Sequence, residues 1–121
     1  MIDHIVIQVS DLNAGKEFYK RAFVPLGYEL IWDLEEWAGF GVKGKPDFWL
    51  RSGSKTETQV HVAFRTSDRT AVRSFYEAAL AAGGTDNGPP GIREDYHPNY
   101  YGAFVLDPEG HNIEAVCHDP R

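Results

Sequence analysis

The chain has 121 residues, 42% of them hydrophobic, and its 18 acidic against 12 basic side chains give a formal net charge of −6. That length and apolar content suit one domain able to bury a core, whereas the acidic balance disfavours nucleic acid, whose binders need clustered Lys and Arg to displace counterions. No apolar run approaches the roughly 20 residues of a membrane span, so the expected partner is a small molecule rather than nucleic acid or a bilayer.

The N-terminus enters a strand pattern at once, with no basic leader or cleavage site, which predicts a cytoplasmic chain. In residues 2–9, Ile5, Ile7 and Val9 alternate with His4, Val6 and Gln8, a strand period. From Asp11 or Asn13 to about Leu26 the apolar spacing predicts a helix, with Ser10, Asp11 and Asn13 as candidate caps and Gly27 as its stop. Three short strands follow, at 28–32, 37–42 and 48–50, separated by turn residues. The order β-α-β-β-β then begins again. A strand from Val60 precedes a helix over 69–82 that Gly83-Gly84 ends, and residues 85–99 read as a long Gly- and Pro-rich loop of the kind that often binds ligands. Strands at 101–106 and 112–117 close the chain around the turn Asp107-Pro108-Glu109-Gly110. Cys117, the single cysteine, is expected as a buried thiol.

The second half repeats the first. His4, Ser10-Asp11 and Phe18-Tyr19 recur as His61, Ser67-Asp68 and Phe75-Tyr76 at a constant offset of 57 residues (61 − 4, 75 − 18). Repetition of this kind signals paired units sharing one core, here module one at about 1–54 and module two at about 58–121. Each first strand turns its histidine away from the helix-packing residues, and Glu114 on the last strand shares that face. A histidine near a strand start is by default a hydrogen-bonded structural residue, and a lone glutamate is by default solvated. Two histidines at matched positions with a carboxylate between them instead suit a divalent metal with open coordination positions.

These motifs resemble the vicinal oxygen chelate superfamily, which includes glyoxalase I, bleomycin-resistance and fosfomycin-resistance proteins and extradiol dioxygenases. The most specific part is the run from Asp107 through His111 to Ile113-Glu114. The resemblance implies a single α+β domain, two paired β-α-β-β-β modules forming an eight-stranded, cup-shaped mixed sheet with helices on its convex side. It also implies one divalent metal (Zn, Ni, Mn or Fe) on His4, His61 and Glu114. The fourth ligand position of glyoxalase I falls on Trp49, which cannot ligate, and Asp47 shares its face. Glu114, His97 and Tyr101 are the expected acid/base groups, and Trp32, Trp37, Trp49 and Tyr100 the expected substrate pocket. His111 and His118 are expected at the surface.

The function these features predict is a glyoxalase-like lyase or isomerase acting on a small oxygenated substrate. One alternative is an extradiol-type dioxygenase with iron on the same two histidines and glutamate. The other is a metal-free, bleomycin-resistance-like binder, in which the aromatic residues and acidic rim would sequester a cationic ligand. The resemblance further implies a homodimer, with the site either inside one chain or shared by two.

Overall fold

The computed structural model describes residues 1–120. The first module runs β1 (Ile5–Val9), α1 (Leu12–Ala22), β2 (Glu29–Asp33), β3 (Trp37–Val42) and β4 (Lys45–Ser52). The second runs β5 (His61–Arg65), α2 (Arg69–Ala81), β6 (Thr85–Asp86), β7 (Gly91–Ile92), β8 (Tyr101–Leu106) and β9 (Asn112–Cys117). The repeated Asp caps both helices: Asp11 accepts from the Ala14 amide and Asp68 from the Thr70 amide. The first helix ends earlier than its spacing predicts. Pro25 has no N–H for an α-helical bond, so the chain continues as a 3₁₀ turn over Val24–Leu26 and leaves through Gly27 at φ +76°.

One sheet has the order β1-β4-β3-β2, the other β5-β9-β8-β6 with β7 also on β8. β1 and β4 are parallel, as are β5 and β9, while the remaining pairs are antiparallel. This mixed α+β architecture corrects the expected eight-stranded count to one sheet of four strands and one of five. The extra strand arises where residues 85–99 were expected to be irregular. Pro89 and Pro90 have no N–H to continue a ladder, so the chain touches β8 twice, through β6 and again through β7. β4 is longer than the expected 48–50 because it is central, paired on both sides, and tolerates Pro46 at a register shift opposite Gly41.

The two modules share one core. Phe23, fully buried, sits at its middle, with ring centroids 4.9 Å from Tyr19, 5.4 Å from Phe48 and 4.8 Å from Phe64, so both sheets reach it. Burying a side chain of this size contributes roughly 1.5–3 kcal/mol. Cys117 is buried in the same core, as its apolar setting predicts.

The Asp-Pro-Glu-Gly turn holds the modules together. Asp107 Oδ1 accepts from the amides of Glu109 and His111, and its Oδ2 accepts from the Tyr19 hydroxyl of α1 at 2.6 Å. Glu109 receives the Ser10 amide and hydroxyl. His111, expected at the surface, is 1% exposed. Its Nδ1 accepts from the Val60 amide at 3.1 Å, and its Nε2 lies 3.4 Å from the Gln8 carbonyl of β1. The buried side chain thereby satisfies backbone groups that would otherwise be buried without partners.

Candidate functional site

Parallel pairing sets Ala63 of β5 opposite Glu114 of β9, so His61, two residues back on the same face, reaches across the ladder. His61 Nε2 lies 2.8 Å from Glu114 Oε1. The histidine side chain is 52% exposed, whereas Glu114 is 1% exposed. A carboxylate so buried requires partners, and the second one is Tyr100, whose hydroxyl donates to Oε2. Burial first, and then the Glu114 carboxylate, raise the Tyr100 phenol above the ordinary tyrosine range. Tyr100 therefore stays a donor wherever the carboxylate is charged.

His4 is placed separately, just before β1. Its Nδ1 lies 2.7 Å from Asp3 Oδ2, and Lys45 Nζ donates to Asp3 Oδ1 at 2.9 Å. The hydrogen bond from His4 first, then Lys45, hold the Asp3 carboxyl below its usual range. Among the described residues no three His, Cys, Asp or Glu side chains are grouped to hold a metal. One chain thus brings His61 and Glu114 together and leaves His4 apart from them.

The register settles what stands at the matching position of module one. Val6 pairs with Trp49 as Ala63 pairs with Glu114, and Val6 and Ala63 are themselves 57 residues apart (63 − 6), so Trp49 is the structural counterpart of Glu114. Its ring lies over Gly39, where a Cβ would come within 2.8 Å of it. Trp37 meets it edge-on at 6.1 Å, and the two indoles line a groove with His4 and Val6. Asp47, the carboxylate two residues before Trp49 on β4, accepts from the Tyr28 hydroxyl at 3.0 Å. Trp32 lies on β2 and is 50% exposed.

The acid/base candidates separate. Tyr101, expected at the site, instead accepts from Arg73 of α2 at 3.2 Å and packs under Arg69, with the guanidinium 5.0 Å from the ring. Alternation along β8 is the reason: neighbouring residues face opposite sides, and the residue that reaches Glu114 is Tyr100. His97 Nδ1 accepts from the Asn99 amide, and its ring packs edge-on against His118 at 5.8 Å, which in turn meets Tyr100 at 5.2 Å. His97 thus borders the site through other rings and makes no direct bond to Glu114. The sequence names Tyr100 and Tyr101 together but has no signal for which faces inward, because the strand's first residue is fixed only by pairing.

A family model described as Glyoxalase/Bleomycin resistance protein/Dioxygenase superfamily matches residues 1–115. No curated protein matches the chain significantly. Among solved structures, a glyoxalase/bleomycin resistance protein from Albidiferax ferrireducens T118 is similar at a TM-score of 0.81 and 24% identity, covering 95% of this chain and 97% of that one. A glyoxalase/bleomycin resistance protein/dioxygenase family enzyme from Burkholderia phytofirmans PsJN gives a TM-score of 0.75 at 21% identity, covering 96% and 97%. The fosfomycin resistance protein FosX from Listeria monocytogenes, complexed with Mn(II) and 1S,2S-dihydroxypropylphosphonic acid, gives 0.72 at 21%, covering 96% and 88%. At these identities the structures establish the likeness of fold.

Proposed function

The chain belongs to the glyoxalase/bleomycin resistance protein/dioxygenase superfamily, and from that premise we propose that it is a divalent-metal lyase or isomerase acting on a small oxygenated substrate. The observation that carries this reading is the His61–Glu114 pair. An imidazole nitrogen and a carboxylate oxygen 2.8 Å apart, one group half-exposed and the other fixed in the interior, form a donor set suited to zinc, nickel, manganese or iron. The Mn(II) bound by the FosX neighbour supports manganese among them.

His61 and Glu114, with His4 of a second copy, would hold the ion, and bound there it would polarise a substrate oxygen as a Lewis acid. The remaining roles fall to the chain's own side chains. Glu114 would move the proton between adjacent substrate carbons on detaching from the ion, which frees one carboxylate oxygen to act as the base. Tyr100 fixes that carboxylate by donating to its other oxygen. Trp37 and Trp49 flank His4 and present a flat apolar wall to substrate.

A homodimer follows from the same reading. His4 is apart from Glu114 in one chain, and it is flanked by Val6, an exposed apolar side chain, and the two indoles. A two-fold partner laid on this face would cover that apolar surface and complete two equivalent sites. The single domain of two modules acts, on this account, as a cytoplasmic dimer.

Elemental analysis of protein purified without chelators tests the proposal. Near-stoichiometric zinc, nickel or manganese, absent from His61→Ala and Glu114→Ala, is expected; iron with oxygen uptake on catechols would instead indicate the dioxygenase. A second reading has one observation in its favour, the indole of Trp49 where Glu114 has its carboxylate. If no metal binds after reconstitution, the Trp37–Trp49 groove indicates a metal-free binder of a cationic aromatic ligand.

A further inference from the structure

A second cleft of about 380 Å³ opens beside His61, lined by Arg93, Asn87, Asn112 and Phe104. We propose that it is an anion subsite in which Arg93 receives the carboxylate of a small 2-hydroxy acid while Asn112 receives the neighbouring hydroxyl. The proposal deepens the metal-enzyme reading by naming a substrate class, and it rests on that reading only for the part the subsite plays in a reaction.

Arg93 is held ready for such a ligand. Its Nη2 donates to the Pro89 carbonyl at 2.7 Å, and its guanidinium stacks 5.4 Å from the Phe104 ring centroid. Gly88 permits this packing: a Cβ there would fall 2.9 Å from Phe104 and 3.2 Å from Arg93 Nη2, and its φ of +146° suits glycine alone. The backbone is tied as well, by the bond from the Arg93 amide to the Tyr100 carbonyl at 2.7 Å. A guanidinium has five N–H donors, so most remain for a ligand. Among the described residues no carboxylate lies within ion-pair distance of Arg93. The other described arginines also lack an ion-pair partner, and Arg93 differs in lining the cleft beside His61 with its guanidinium fixed.

Asn112 gives the second half of the argument. It pairs with His61 across the β5–β9 ladder, and its Oδ1 is buried without a hydrogen-bond partner. That acceptor is closed to solvent in its present orientation, and a half-turn of the amide, which itself lines the cleft, would bring it to a ligand hydroxyl. Charge decides between anions. The cleft has one Arg and no Lys, so it neutralises a monoanion, and the forked guanidinium matches the two oxygens of a carboxylate. A phosphate dianion would be only half neutralised. With its carboxylate on Arg93 and its hydroxyl on Asn112, a 2-hydroxy acid would have its oxygenated carbons beside the His61–Glu114 pair.

The test uses chelator-treated, metal-free protein, so the metal assignment cannot decide its outcome. Lactate, lactamide and inorganic phosphate are titrated separately and followed by amide shifts in ¹⁵N-resolved spectra. Lactate should shift Gly88 and Asn112 saturably, lactamide should not, phosphate should bind more weakly than lactate, and Arg93→Gln should weaken lactate at least tenfold. Arg93→Lys, which keeps the charge and loses the fork, should weaken it less. Lactate binding equally to wild type and Arg93→Gln, no lactate binding to wild type, or phosphate binding more tightly than lactate would each overturn the proposal. If Arg93→Gln does not fold, Arg93→Lys and the lactate–lactamide contrast on wild type decide it. Metal content measured on separate, untreated samples judges the Proposed function independently.

Discussion

Tyr100→Phe removes one hydroxyl and leaves Glu114, 1% exposed, with a single partner. A hydrogen bond to a charged group contributes about 1.5–3 kcal/mol, and water has little access to the vacated oxygen, so the variant should lose roughly that amount of stability. Unfolding entropy of about 2.1 cal/mol/K per residue gives roughly 250 cal/mol/K for 121 residues, and the loss should lower Tm by about 6–12 °C. Urea denaturation of metal-free protein measures it directly. The cycle partner is Glu114→Gln, which keeps the side-chain volume and removes the charge. In that background the same Tyr100→Phe change should cost only about 0.5–1.5 kcal/mol, the worth of a neutral bond. Equal costs in both backgrounds would refute the argument that the phenol acts on the carboxylate, and so would a loss below about 0.5 kcal/mol in the wild-type background, since ordinary surface changes fall in that range.

Other consequences can be checked separately. Tyr19→Phe deprives buried Asp107 Oδ2 of its 2.6 Å donor and should cost about 1–3 kcal/mol by urea midpoint. Trp49→Glu restores a carboxylate at the counterpart of Glu114; competition with a zinc chelator should show affinity raised about tenfold, with stability lowered by about 1–3 kcal/mol for the lost indole. Tyr19, Tyr28 and Tyr100 all have phenols raised above the ordinary 10.0 by burial and by a neighbouring carboxylate. Because the folded values are raised, the stability they contribute is intact below pH 10 and is lost only as pH climbs through those higher values. Phenolate absorbance should therefore show a delayed phase that accompanies alkaline unfolding, and Tyr100→Phe should shrink it. A titration complete near pH 10 with the fold intact would contradict this.

Repetition made most of the fold legible. Because His4 and His61, Asp11 and Asp68, and Phe18 and Phe75 recur at one spacing, helices and strand faces could be assigned in pairs, and β3, β8 and β9 begin and end where alternation predicts. The sequence says less about distance. Nothing in the pattern of β1 or β5 tells whether His4 joins His61 and Glu114 in the same chain, because faces are local while convergence depends on how the modules dock. Tyr101 was misplaced for the same kind of reason, a one-residue choice that reverses the face. His111 looked like a turn residue beside Gly110, yet the docking of β1 against the turn buries it. Arg93 carried no motif, and Asn112, although inside the run from Asp107 to Glu114, suggested no role of its own; only the cleft relates one to the other.

Subunit complementation tests the central claim, a metal site completed by a second copy. His4→Ala and His61→Ala should each lose the metal as homodimers. When the two are unfolded together and refolded, each mixed dimer regains one intact site, with His4 from one chain and His61 and Glu114 from the other. In a random mixture about a quarter of all sites should return, by two-fold symmetry. Recovery of metal near that fraction, with Glu114→Ala in place of His61→Ala giving the same result, is what the account predicts. No recovery in refolded mixed dimers, or metal retained by either variant alone, would contradict it.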